Sequence, residues 1–290
     1  MNKLSLHLFV EQPLLGVLFF MIVSFTGTKI HANECQTQIE RGDKYYDQFN
    51  NLEALKSYEE AYKICPESHE ALMKLTRAYN DVGEDLRGAA GSDGSKSVEV
   101  EEHFKNAVKS ANLVLEKFPD EKTTYFLLAV SYGNLALYKG GEEKLTLGRD
   151  VEKYANQAIE IDPKFAPAYV VLGIYYREIA SVNGLKKAIA NSFLGGLPDR
   201  TLDDSQRVLT KALELSPGSP YVHYDLGKTY EKLGEKEKAI EHYNKVIELP
   251  AVDHDDLRKK SLAEIQVKKL SAVDEASEAK LLNGVGQSNN

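Results

Sequence analysis

Apolar and polar residues follow the 3.6-residue period of amphipathic helices through most of residues 35–270, and the pattern breaks at nearly regular intervals. The clearest unit is Pro220–Asp253, PYVHYDLGKTYEKLGEKEKAIEHYNKVIELPAVD. Leu226, Gly227 and Tyr230 share a face of a first predicted helix, Leu233-Gly234 interrupts it, and Ala239, Tyr243 and Val246 share a face of a second. Pro250 ends that helix because proline lacks the next backbone donor. Small Gly227 lets the first helix approach its partner, and Tyr230 and Tyr243 fill the space between them. The same offsets recur near the start of the pattern in Cys35–Ser68, a unit of equal length, as Gly42, Tyr45, Ala54, Tyr58 and Ala61, with Pro66 one place later.

Three longer units lie between. His69–Glu121 carries Leu72, Leu75 and Tyr79, then Ala107, Ala111, Val114 and Pro119. Lys122–Phe165 carries Leu128, Ala129 and Tyr132, then Ala155, Ala158 and Pro163. Ala166–Ser219 carries Tyr169, Leu172, Gly173 and Tyr176, then Leu209, Ala212 and Pro217. Each expansion falls between the two helices of its unit, where extra residues need not disturb stacking. Gly83–Glu101 is Gly/Ser-rich and predicts a flexible loop running into an early helix start. Ala136–Leu147 has little period of its own. Val182–Leu194 does, through Leu185, Ile189, Phe193 and Leu194, and predicts an extra amphipathic helix. Asp199–Asp204 offers a cap for the helix that follows. Asp255–Leu270, with Leu257, Leu262, Ile265 and Leu270 on one side, predicts a helix closing the open end of the stack. Ser271–Asn290 reads as a polar, disordered tail.

A repeated helix–turn–helix of this length, about 34 residues, with small and aromatic residues at these offsets resembles the tetratricopeptide repeat (TPR). The expected fold is therefore all-α: a TPR-like α-solenoid of about five helix pairs over residues 35–270, with insertions in the middle three and a C-terminal capping helix.

The concave face of such a stack is lined by the first helix of each unit, at its second, fifth, ninth, twelfth and thirteenth positions. The fifth and ninth read Ile39/Asp43, Met73/Arg77, Phe126/Val130, Val170/Ile174 and Tyr224/Lys228. This predicts a groove with an apolar middle (Phe126, Val130, Val170, Ile174, Tyr224) and charged flanks (Met73 beside Arg77, and Lys228). It suits a protein partner or a hydrophobic, lipid-like ligand, unless the inserted helix fills it. TPR units that grip a C-terminal carboxylate use Lys and Asn at these positions, and the residues read here do not support that mode.

Chemistry narrows the picture further. The net charge is −8, no basic stripe stands out, and nucleic acid is an unsuitable partner. No GxSxG, HExxH, CxxC or phosphate-binding Gly-Lys-Ser/Thr motif occurs, and the seven histidines show no ligand spacing. An enzyme is not expected, nor a cofactor or metal. Lys3, the apolar run Leu14–Phe25 and the small residues up to Ala32 predict a signal peptide over residues 1–32. The chain would then be exported, periplasmic or secreted, and cleavage would take the net charge to −9. The alternative is a membrane anchor through residues 14–25. In an oxidising compartment Cys35 and Cys65, at the outer ends of two antiparallel helices, could form a disulfide between them; two reduced thiols are the alternative.

From about Val100 to Leu270 a narrower likeness appears. Tyr125–Leu137 followed by Tyr138-Lys139-Gly140-Gly141, Val182-Asn183-Gly184-Leu185, Phe193–Pro198, Leu226-Gly227-Lys228-Thr229-Tyr230 and Leu249-Pro250-Ala251 resemble the TPR domain of the regulator of microtubule dynamics family. The resemblance implies a helical interaction protein without catalytic machinery, some of whose relatives bind lipid in the groove. A second similarity, to periplasmic TPR subunits of TRAP-type solute transporters, implies an accessory role in solute transport.

Overall fold

The structure, a computed structural model, describes residues 32–89, 98–182 and 198–285. The segment read as a signal peptide or anchor, apart from Ala32, and nearly all of the inserted helix expected at 182–194 lie outside the described residues. Among the described residues there are eleven helices and no strand. They are α1 (32–47), α2 (Asn51–Ile64), α3 (His69–Ala89), α4 (Val98–Lys117), α5 (Lys122–Lys139), α6 (Gly141–Ile161) and α7 (Ala166–Ala180). Then follow α8 (Leu202–Leu215), α9 (Pro220–Leu233), α10 (Lys236–Glu248) and α11 (His254–Val285). Each packs chiefly on its neighbours in sequence, giving five helix pairs and a closing helix, as a TPR solenoid requires.

Local chemistry sets the ends. Thr201 and Asp204 form a reciprocal capping box at the start of α8, within the stretch expected to cap it. Ser219 caps α9 with Pro220 at the first helical position, and Gly234 ends it at φ 78°, a conformation glycine adopts without a Cβ penalty. Within pairs, small residues admit rings. A Cβ on Gly227 would sit 2.7 Å from the Tyr243 ring and one on Gly42 2.3 Å from Tyr58, and both tyrosines are fully buried. Each buried ring keeps its hydroxyl satisfied by an acid: Tyr58 donates to Asp43 at 2.7 Å and Tyr243 to Glu231 at 3.0 Å. Cys35 and Cys65 are joined in a disulfide, their Cα atoms 6.0 Å apart, tying the start of α1 to the end of α2.

The expansions correct the sequence reading. Within Gly83–Glu101 the early helix start holds, with α4 beginning at Val98, but α3 also continues to Ala89 where a loop was expected. Ala136–Leu147 is helical on both sides of a sharp reversal at Gly140 and Gly141, with φ 67° and 54°. The described residues of these two expansions thus lengthen helices. Apolar residues in and beside them build a second tier of core, in which Val100, Phe104 and Leu135 are buried and Leu86, Val108, Tyr138 and Leu147 pack around them. Burying each such side chain contributes about 1.5–3 kcal/mol, which makes continued helix better than an open loop.

Two further corrections concern α11. It runs to Val285, past Leu270, because residues 271–285 are mostly good helix formers and contain no proline. Its buried side is Asp256, Lys259 and Ala263, continued by the partly buried Val267 and Leu270, while Leu257 and Ile265 of the expected apolar side are exposed. The helix is rotated because its first turns face charged groups rather than a dry surface.

Candidate functional site

The first helices α3, α5, α7 and α9 bring the expected groove residues onto one side of the stack, with unequal fates. Phe126 and Val130 are half-buried, and Phe126 meets Phe165 edge-on with ring centres 5.5 Å apart. Met73 is half-buried too. Val170 is not an open lining residue. It is 5% exposed and shares a core cluster with Leu209, Val222 and Leu226, against which Ile174 and Tyr224 pack from the outside. Arg77 lies with its guanidinium 3.8 Å from the centre of the Tyr46 ring. Lys228 extends along the Tyr224 ring, its ammonium 5.8 Å from the ring centre. Burial, and then the neighbouring Arg177, hold the Lys228 pKa below its ordinary value.

The twelfth and thirteenth positions of the same helices, Asn80/Asp81 on α3, Gly133/Asn134 on α5 and Arg177/Glu178 on α7, make the groove less apolar than its fifth and ninth positions suggest. Asn80 is buried, donates to Ser131 at 2.9 Å and accepts from Asn134 at 3.1 Å, joining α3 to α5. Arg177 is 1% exposed; its Nη atoms reach the Asp225 carboxylate at 2.7 Å, the Asp225 carbonyl at 3.0 Å and Thr229 at 3.3 Å. Glu178 pairs with Lys144 at 2.6 Å. Burial alone would raise the Glu178 pKa, but Lys144 and Arg177 together hold it below the ordinary value. These residues are named by position in the repeat. Extending the position reading from the fifth and ninth to the twelfth and thirteenth would have found them.

One arrangement had no sequence signal. The first turns of α11 cross to the second half of α3 on the groove side. Arg258 donates to Glu84 at 3.2 Å and also pairs with Asp255. His254 Nδ1 stands 2.8 Å from Asp85, which on its other oxygen accepts from Asn51 of α2, also at 2.8 Å. Lys259 pairs with Asp255, and its ammonium sits 3.5 Å over the ring of Tyr221 on α9. Burial pushes the Asp255 carboxyl up, yet Lys259 and Arg258 outweigh it and leave its pKa lowered. Asp81 is the opposite case. Burial drives its pKa up to about 8, Arg77 offsets this only in part, and Asp253, Asp255 and Asp85 add to the rise. A cavity of about 420 Å³ remains between the two elements, lined by Asp85, Gly88, His254, Leu257, Arg258 and Ser261.

Among the described residues no group of His, Cys, Asp and Glu has the geometry to hold a metal ion, and no helix is long and apolar enough to cross a membrane. What the groove offers is a surface of mixed polarity on a helical-repeat frame, which defines a TPR-type solenoid. Its architecture matches a thermophilic TPR protein of Thermus thermophilus, with a TM-score of 0.58 and 20% identity over 80% of this chain and 99% of that one. The model of the regulator of microtubule dynamics protein 1-3 family matches residues 38–271, and the chain belongs to that family. Regulator of microtubule dynamics protein 3 of Mus musculus is 28% identical over 198 residues, 68% of this chain but 40% of that protein. Protein 1 of Bos taurus is 26% identical over 254 residues, 86% of this chain and 77% of that protein. The family match reaches back through the first two repeats, well before Val100.

Proposed function

We propose that this chain is a non-enzymatic interaction scaffold that grips a polypeptide segment along its concave groove. The observation that carries the reading is Lys228. It is partly buried beside Tyr224, with its pKa lowered by burial, and among the described residues it makes no salt bridge. A wall that combines such a cation with half-buried Phe126, Val130 and Ile174 suits a peptide, which brings carboxylates and amides as well as apolar side chains. A purely apolar ligand would further desolvate Lys228 without pairing it, at a cost of about 1–3 kcal/mol or more. Export into an oxidising compartment is part of the proposal, supported by the apolar run Leu14–Phe25 and the Cys35–Cys65 disulfide.

The test is site-specific photo-crosslinking in the native host. A photoreactive residue at Phe126 is expected to trap a discrete protein adduct, and the same residue at exposed Ile161 to trap none. Equal labelling at both positions, or lipid recovered at Phe126 in place of protein, would sink the reading.

A further inference from the structure

The hold of α11 on α3 has the marks of an occupied binding cleft rather than a permanent interface. It links residues 174 apart in sequence. It is made by charged side chains, with Leu257 left 41% exposed and a cavity of about 420 Å³ beside it. Glu84 uses one oxygen for both Arg87 and Arg258, while its other oxygen is buried and unpaired, although a carboxylate accepts an arginine best through both. Asp81 adds a buried carboxyl oxygen without a hydrogen-bond partner, Arg77 standing 3.9 Å away, and it faces Asp253 and Asp255 at the start of α11. The receiving side nevertheless has definite chemistry. Glu84 and Asp85 supply negative charge on α3, and the faces of Tyr221 and Tyr224 on α9 accept a cation, with the Lys259 ammonium 3.5 and 5.8 Å from their centres.

We propose that the cleft between Glu84/Asp85 and Tyr221/Tyr224 is a receptor for an adjacent Arg-Lys pair on a partner helix, and that Arg258-Lys259 of α11 occupies it in the resting chain. An incoming arginine that reaches both oxygens of Glu84 displaces Arg258, and its neighbouring lysine takes the tyrosine faces. The α11 segment thus competes with the partner and sets the threshold for binding. This rests on the groove being a polypeptide-binding surface.

The probe is a fluorescent peptide of the chain's own residues 252–270, titrated against the full chain by anisotropy. R258E/K259E vacates the cleft and is expected to bind the peptide about tenfold or more tighter than the unaltered chain. Adding E84Q/D85N to that variant should abolish the gain. Circular dichroism establishes that each variant is folded, and Arg258→Gln alone serves if the double reversal is not. Equal affinity for the unaltered and vacated chains overturns the proposal. So does absence of peptide binding by a folded vacated chain; if Phe126 still crosslinks a protein, only the cleft assignment fails, and if it does not, the groove reading falls as well.

Discussion

The two regular repeats, 35–68 and 220–253, and the two expanded ones between residues 69 and 165 solve different problems with the same helices. The regular pair is built around one shared close contact. A glycine at the eighth position admits a tyrosine from the twenty-fourth, and the tyrosine's hydroxyl finds an acid, Asp43 in one repeat and Glu231 in the other. In the expanded pair the extra residues lengthen α3 to α6, add a second tier of core around Phe104, and carry Glu84 and Asp85 out to meet α11. The regular units supply stacking. The expanded units supply reach, and with it the surface where the groove meets its own C-terminal helix.

Substitutions should separate these roles. Tyr243→Ala is expected to cost about 3–5 kcal/mol by urea denaturation, because it empties a sealed site between α9 and α10. Asp225→Ala should cost a similar amount, about 3–5 kcal/mol, by taking from the buried Arg177 its close carboxylate and leaving only the more distant Glu178. Similar losses from Tyr243→Ala and Lys245→Ala would break the comparison, since Lys245 is exposed and, among the described residues, pairs with Glu248 alone. For Lys245→Ala the expectation is under about 0.5 kcal/mol.

Between these extremes lies pH. His223 Nε2 donates to the Pro217 carbonyl, so its Nδ1 accepts from His242 Nδ1, 2.9 Å away, and both rings are neutral. Burial lowers both pKa values, His242 to about 4. Their contribution is complete above the unfolded value near 6.5 and is lost as pH falls through that value toward 4. The fifth repeat should therefore weaken on acidification, and His242→Gln should flatten the dependence of the urea midpoint on pH. Asp81 runs the other way. With a folded pKa of about 8 against an unfolded value of 3.8, it holds a proton that the unfolded chain releases, so stability falls as pH rises from 4 to 8. The groups facing it are Arg77 and Asp85 from α3, Asp253 and Asp255 from the start of α11, and Tyr46 from α1. Asp81→Asn should remove that decline while leaving the acid-side loss from the histidines intact.

Much of the frame was legible in the chain. Gly42 with Tyr58 and Gly227 with Tyr243 announce a close helix pair, since small and large residues at a fixed spacing have few other uses. Thr201 and Asp204, in the stretch expected to cap, do cap α8. The groove was only partly legible. Val170 reads as a lining residue by position but is withdrawn into the core, and the partners of Arg177, which are Asp225 and Thr229, come to it from 48 and 52 residues away.

The sequence by itself determined the repeat, its five copies, the stops between them and the need for a closing helix, because those depend on residues within one turn or one helix pair of each other. Tertiary structure alone decided how the expansions are used, which face of α11 turns inward, and that Arg258 meets Glu84. Burial and charge pairing between segments 174 residues apart depend on how the small rotations between successive repeats accumulate, and no local pattern records that sum.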